Sequence, residues 1–186
     1  MYYNISRCSL DSHLFMLRGG GCLLQVGDKV VYPMHGAGVI AGIENCEVMG
    51  EGKSYYVLQM PLGNMRVMIP TDNVENIGLR NVVSVAKVDE VRNVLEDEPE
   101  RTMGSWNKRF HANLERMKSG DICDVAAVTR NLILRDRRRK ISSGERRLLE
   151  LAKQILISEL VYACEKSPEE IEVWLEDILA HNDCQH

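Results

Sequence analysis

The stretch LLQVGDKVVYPMHGAGVIAGIE, residues 23–44, decides the fold of the first half of this chain. Its short Val- and Ile-rich runs alternate with Gly-Asp, Tyr-Pro and Gly-Ala-Gly, which is typical of short strands joined by tight turns. Two further β-branched and aromatic runs follow, KSYYVLQM (53–60) and MRVMIP (65–70), and the turn PLGN joins them. Four or five strands at this spacing predict a small barrel or a strongly bent sheet.

Past residue 80 the apolar residues recur at the spacing of amphipathic helices. A short helix is predicted over residues 87–95, and an acidic loop that contains a proline ends it. Four further helices are predicted to begin directly after residues that favour the N-cap position: Ser105, Asp121, Ser142 and Ser167. A glutamate three residues after Ser142, and another three residues after Ser167, completes a capping box in both cases. The pattern therefore indicates a β-module joined to a helical bundle.

These patterns place the chain in the α+β class, with a small N-terminal β-barrel domain followed by an all-α bundle of about five helices. The β-rich domain is expected over residues 22–80, and the first helix with its linker over 81–103. The helical domain is expected over 104–181, followed by a tail at 182–186. Residues 1–21 have no periodicity and no cleavage site of a signal peptide, so we expect a disordered extension.

Charge is distributed unevenly along the 186 residues, although the formal net charge is only −4. Residues 22–100 contain 6 basic and 12 acidic side chains, and residues 148–186 contain 2 basic and 9 acidic ones. Residues 101–147 contain 13 basic against 5 acidic side chains, a balance of +8. An acidic protein with one basic island is expected to bind a polyanion at one place. The alternative is a solvated basic face paired with the acidic segments.

Several classes of function lack a signature in this sequence. No apolar run approaches the length of about 18 residues that a membrane helix requires. The six cysteines form no CxxC pair, and the histidines are scattered, so we expect reduced thiols and neither metal nor cofactor. HGAGVI at 35–40 contains a G-x-G without the rest of a phosphate-binding fingerprint. We therefore expect no enzyme and no small-molecule substrate, and His35 is interpreted as a turn residue rather than a catalytic base.

The basic island begins with GSWNKRFHANLERMKSGD, residues 104–121, in which Trp106 stands at the start of a predicted helix. Basic side chains that could contact DNA phosphates lie in this helix and at the end of the next one: Lys108, Arg109, Arg116, Arg135, Arg137, Arg138, Arg139 and Lys140. An apolar ring beside them could wedge against a base step from the minor groove. The alternative is that Trp106 belongs to the core of the bundle.

Four motifs together resemble the CarD/CdnL family of bacterial transcription regulators. They are VGDKVVYPMHGAGVI, then YYVLQMP with MRVMIPTDNVENIGLR, then SWNKRFHANLERMKSGD, and finally VTRNLILRDRRRKISSGERRLLELAKQIL. The resemblance implies a Tudor/SH3-like β-domain, similar to that of transcription-repair coupling factors, which docks on the β subunit of RNA polymerase. It further implies a helical domain that contacts promoter DNA at the upstream edge of the bubble and stabilises the open complex.

The resemblance also implies roles for individual residues. Trp106 matches the tryptophan that enters the minor groove, with Lys108, Arg109 and His111 as neighbouring DNA contacts. Well-studied relatives use arginines on the β-domain at places that correspond here to Cys46 and Met68. Arg66, two residues before Met68 and on the same face of the strand, is expected to replace the arginine at the place of Met68. The expected polymerase-binding set is Met65, Arg66, Val67 and Met68 of the strand edge at 64–69, together with Cys46.

The partners implied are therefore RNA polymerase and promoter DNA, the latter bound without sequence preference. The expected location is the cytoplasm, with the protein associated with the nucleoid through RNA polymerase. A different class of function stays open at this point, because the β-domain could instead belong to a protein-interaction adaptor that does not bind DNA.

Overall fold

The computed structural model describes residues 24–48, 51–62, 65–99 and 104–183. The expected disordered extension at residues 1–21 lies outside these ranges, and so do parts of the expected linker and tail. Within them, an antiparallel sheet is followed by a bundle of helices, which confirms the predicted α+β class.

The sheet has five strands in the described part of the chain, at the upper end of the prediction. The strands are β1 (Lys29–Tyr32), β2 (Gly36–Val48), β3 (Glu51–Gln59), β4 (Arg66–Pro70) and β5 (Arg80–Asn81). All neighbours pair antiparallel in the order β4-β3-β2-β1-β5, and the register shifts between Ile40 and Gly42. Such a bulge bends a strand and increases its twist.

One face of the sheet carries its core. Ile40 of β2, Leu58 of β3 and Ile69 of β4 are almost fully buried in one apolar cluster. Because side chains alternate between the faces of a strand, the residues next to these three along each strand project to the other face of the sheet. Between β4 and β5 the short helix α1 (Val74–Ile77) closes the turn, and the sequence analysis did not predict it.

Five longer helices follow the sheet: α2 (Val85–Glu96), α3 (Trp106–Lys118), α4 (Ile122–Arg138), α5 (Ser143–Cys164) and α6 (Pro168–Asp183). The four predicted N-cap residues each precede a helix, as expected. Ser142 makes the complete capping box with Glu145, whereas the Ser105 side chain makes no cap hydrogen bond. The first helix extends beyond the predicted 87–95 at both ends.

The second core belongs to the helices. Apolar faces of α2, α4, α5 and α6 pack together, and the fully buried side chains include Leu95, Leu132, Leu156 and Leu175. Met34 and Leu62, from loops of the sheet region, also pack against this cluster. Of the helices that the structure describes, none is both long enough and apolar enough to cross a membrane.

The sheet and the bundle meet along the middle and the end of α5. The Ala37 N–H donates to Ser158 Oγ at 2.8 Å, and a side chain at Gly36 would overlap that same oxygen. Arg80 of β5 donates to both carboxylate oxygens of the fully buried Glu159, at 2.5 and 2.9 Å. Arg80 also donates from Nε to the carbonyl of Gly120, between α3 and α4, at 2.8 Å. These bonds hold the sheet in one orientation on the bundle.

Candidate nucleic-acid interface

Trp106 is the first residue of α3, and its side chain lies at the surface with 42% of it exposed. The indole stacks on Phe110 one turn later, with ring centroids 5.3 Å apart and planes inclined by 22°. Its Nε1–H donates to Ser142 Oγ at 2.8 Å, so that one edge of the ring is anchored to the start of α5. The alternative of a tryptophan sealed in the bundle core is therefore excluded.

Gly144 allows the indole to lie against the first turn of α5. A Cβ built on this glycine would lie 3.2 Å from Cζ2 of Trp106, closer than most real contacts of that kind. The absence of a side chain at this position lets the ring approach the helix backbone. Trp106 thus sits between an aromatic ring of its own helix and the glycine of another.

A cleft of about 400 Å³ opens between α3, α4 and the start of α5, near the end of α3 that begins with Trp106. Arg135 and Arg138 of α4 line it at the i, i+3 spacing that places residues on one helix face, and Arg139, the extended residue that follows α4, lines it as well. Arg109 enters from α3, one turn after Trp106, and Glu145 from α5 is the acidic residue among the described lining. Four arginines and one glutamate therefore line a small volume, and this excess of positive charge favours an anionic ligand.

Glu145 makes no close ion pair with the arginines of this cleft and so does not neutralise their positive charge. Its Oε1 lies 3.8 Å from both Arg109 Nη2 and Arg135 Nε, although the side chain is only 4% exposed. Burial lowers the pKa of Arg135, and the positive charges of Arg109 and Arg139 lower it further. Glu145 opposes that effect on the pKa only in part. The cleft therefore holds crowded like charges, which a phosphate group would relieve.

Two of the predicted DNA-binding arginines lie elsewhere. Arg116, ten residues after Trp106 in α3, pairs with Asp124 at 3.0 Å and lines a different cleft with other acidic residues. Arg137 faces α6, where its Nη1 donates to the carbonyl of Leu179 at 2.8 Å. The structure therefore does not bring these two residues to the cleft near the start of α3.

The remaining basic candidates, Lys108, His111 and Lys140, are exposed. Lys108 and His111 project from the first two turns of α3, and Lys140 lies in the turn between α4 and α5. They are close in sequence to Trp106 or to the arginines of the cleft, and could add phosphate contacts around it.

The polymerase-binding candidates lie on the sheet, on both of its faces. Arg66 and Met68 are exposed on the edge strand β4, and Arg66 donates to Glu44 of β2 at 2.8 Å across β3. Cys46 follows Glu44 by two residues and so projects to the same face. Val67 instead packs against the apolar core of the sheet. Met65, just before β4, is 45% exposed.

Sequence reasoning missed the residues that hold the tryptophan. It identified Ser142 and Glu145 as a capping box, but not as the anchor of an indole 36 residues earlier in the chain. The local sequence does not predict this contact, because the cap alone already accounts for a serine at position 142. It also missed Arg80 and Glu159, which meet over a separation of 79 residues.

The structure offers no metal centre within its described ranges, where His, Cys, Asp and Glu side chains form no group of three or more suited to an ion. Cys46, Cys123 and Cys164 are free thiols. Burial raises the pKa of Cys123 and of Cys164, which makes the reactive thiolate less available at neutral pH.

Comparison with known proteins covers both parts of the molecule. Residues 24–94 match the family model of the CarD-like/TRCF RID domain, and residues 90–176 match that of the CarD C-terminal domain. YdeB of Bacillus subtilis (strain 168), named as a candidate transcription factor, is 34% identical over 138 residues, 74% of this chain and 90% of YdeB. The solved CdnLNt from Myxococcus xanthus is 41% identical and covers 37% of this chain and 96% of its own, with a TM-score of 0.30.

Proposed function

This chain belongs to the CarD family of transcription regulators that interact with RNA polymerase, and from that premise we propose that it also binds promoter DNA through Trp106 and the arginine cleft. The observation that carries the proposal is a partly exposed indole one helical turn before Arg109, which lines one cleft together with Arg135, Arg138 and Arg139. A ring that can stack and cations that can bind phosphates are the two components of a minor-groove wedge.

The cationic part supplies affinity without sequence preference. Contacts of arginine to phosphate release counterions, so binding weakens with salt by a slope of about −0.9 per phosphate neutralised. Arg138, the last residue of α4, and Arg139, directly after it, are exposed and are the side chains best placed for such contacts. No base reading is required of them.

The indole supplies the preference for distorted DNA. Insertion of an apolar side chain at a base step costs a few kcal/mol of unstacking, and that cost is smaller where melting has already disturbed the duplex. Trp106 therefore has a higher affinity for an opening promoter than for a closed one. A difference of about 1.4 kcal/mol between the two states shifts the equilibrium tenfold towards the open complex.

The sheet supplies the attachment to the transcription machinery. We propose that the exposed face with Arg66, Met68 and Cys46, and the free edge of β4, contact the β subunit of RNA polymerase. An edge strand with unpaired backbone groups can accept a strand of a partner. Attachment raises the local concentration of the helical part at the promoter to about the millimolar range. Such a protein acts in the cytoplasm, at the nucleoid.

The test is the lifetime of the open complex formed by purified polymerase, with and without this protein. Trp106→Ala is expected to shorten the lifetime about tenfold relative to the unchanged protein, towards the value for polymerase alone. Binding to isolated fragments of the β subunit should persist, because Arg66 and its face are intact. Arg66→Ala should have the reverse profile, with the contact to polymerase weakened.

Val173→Ala is the matched control, because it also removes an apolar side chain, 60% exposed, from a distant helix. Its lifetime should equal that of the unchanged protein. If Trp106→Ala retains both the long lifetime and the binding to polymerase, the wedge is wrong and the protein acts as an adaptor.

A further inference from the structure

We infer that the capping box at the start of α5 positions Trp106 for DNA, so that Ser142 and Glu145 are positioning residues of the wedge. This inference rests on the proposed function of Trp106. It adds two residues that do not themselves touch DNA in the proposal. Their contacts determine how the indole is presented before any duplex arrives.

The hydroxyl of Ser142 makes three hydrogen bonds, one as a donor and two as an acceptor. It donates its single proton to Glu145 Oε2 at 3.0 Å, and it accepts from the backbone N–H of Glu145 at 3.2 Å. A hydroxyl has one proton and two lone pairs, so one lone pair remains. The indole Nε1–H of Trp106 occupies it at 2.8 Å.

Glu145 sets this direction. A carboxylate only accepts hydrogen bonds, so Ser142 must donate to it and must therefore remain an acceptor towards the indole. The same Oε2 accepts from the backbone N–H of Ser142 at 3.2 Å, which fixes the carboxylate against the turn. The indole hence meets a single, oriented acceptor rather than a rotating hydroxyl.

Packing restricts the ring from the other sides. Phe110 stacks on it, and Gly144 leaves just enough room for the ring beside the first turn of α5. A tryptophan held in one orientation loses less conformational entropy on binding than one that samples several. The capping box therefore contributes to wedge affinity by preorganisation.

The anchor also connects the wedge with the phosphate cleft. The second oxygen of Glu145 lies 3.8 Å from Arg109 Nη2 and from Arg135 Nε. The carboxylate that orients the serine for the indole is thus the one around which the arginines gather. Ring and cations are positioned relative to each other by one buried side chain.

Ser142→Gly separates this role from helix capping. Glycine is nearly as good as serine at the N-cap, so the helix should lose only a little stability, whereas the acceptor for the indole is gone. A single hydrogen bond of this kind corresponds to a change of about two- to tenfold. The open complex with Ser142→Gly is therefore expected to decay about two to ten times faster, while binding to polymerase is unchanged.

Ser143→Gly is the matched control, since it makes the same chemical change one residue later, at a serine whose hydroxyl does not accept the indole N–H. The open complex formed with Ser143→Gly should live as long as with the unchanged protein. This should hold even if Ser143→Gly lowers the melting temperature as much as Ser142→Gly does. Trp106→Phe supplies a second check, because it removes the N–H donor and keeps an aromatic ring. In that background, Ser142→Gly should shorten the lifetime no further.

A measurement on the free protein makes the outcomes distinguishable. With Trp174→Phe, the indole of Trp106 is the one fluorophore of its kind, and Ser142→Gly should make its anisotropy decay faster. If Trp106→Ala has no effect on the open complex, the proposed function fails. If Trp106→Ala acts but Ser142→Gly matches Ser143→Gly in lifetime and anisotropy, the inference is overturned while the function stands.

Discussion

Two carboxylates of the same helix meet arginines in opposite ways. Glu159 is fully buried and receives both Arg80 nitrogens, at 2.5 and 2.9 Å, together with the Val83 N–H at 3.2 Å. Glu145, about four turns earlier in α5, is almost as buried, but its Oε1 stays 3.8 Å from two guanidinium groups. Donors of the same chain engage both carboxylate oxygens of Glu159, whereas Oε1 of Glu145 lies beyond hydrogen-bond distance of both guanidinium groups.

The difference indicates which arginines serve the fold and which remain available to a partner. A bidentate pair in which every oxygen is occupied holds two parts of the molecule together. Four arginines that line one cleft with a single glutamate leave a surplus of positive charge, with the pKa of Arg135 lowered by burial and by its neighbours. Such a surplus is stable only where solvent or an anionic ligand can compensate it.

The largest effect should come from removing Glu159. Glu159→Ala leaves the partly buried Arg80 and the N–H of Val83 without their acceptor, and breaking such a pair costs about 3 kcal/mol. The free energy of unfolding in urea should fall by that amount. Glu96→Ala, which breaks the exposed pair with Arg92, is the control and should change it by less than about 0.5 kcal/mol. A loss below about 1 kcal/mol for Glu159→Ala would contradict the role of this pair in the junction.

A smaller and salt-dependent effect is expected at Glu145. Glu145→Gln keeps the size of the side chain but removes the negative charge between Arg109 and Arg135, so we expect a loss of about 1 kcal/mol at low salt. Added salt screens the repulsion among the arginines and should recover part of this loss. Urea unfolding at a low and a high salt concentration measures the loss in the free energy of unfolding and how much of it salt recovers. Equal losses for Glu145→Gln at both concentrations would show that repulsion in the cleft is unimportant.

The smallest effect should be the loss of one phosphate contact. Arg139→Ala is expected to reduce the salt slope of binding to a partly melted promoter duplex by about 0.9, without altering stability. Arg116→Ala is the control, because that guanidinium pairs with Asp124 in another cleft. If Arg139→Ala and Arg116→Ala have the same salt slope of DNA binding, the proposal that Arg139 contacts phosphate and Arg116 does not is wrong.

Local patterns were sufficient for most of the fold. The caps Asp121, Ser142 and Ser167, and the apolar periods after them, predicted the starts of three helices, because capping and amphipathicity are properties of neighbouring residues. The short helix α1 was missed because a single turn of four residues shows no helical period, and the true ends of α2 were missed because helix ends depend on packing. The boundaries of the two domains stay predictions.

The candidate site was predictable in part. The basic island and the resemblance to the CarD family indicated Trp106 and the arginines, but they placed Arg116 and Arg137 with the others. Those two lie on other helix faces, where Asp124 and the carbonyl of Leu179 engage them. A count of charges along the chain cannot separate them, because it does not record the direction of each side chain.

The amino-acid sequence by itself determined most of the strands and helices, their order, the segregation of charge and the family, because each follows from local spacing and from motifs. Only the tertiary structure decided which arginines converge, that Ser142 receives the indole of Trp106, and that Glu159 joins the sheet to the bundle. These contacts depend on how helices cross and on which loops meet. Packing sets that geometry over separations of 36 and 79 residues, well beyond the range of any local pattern.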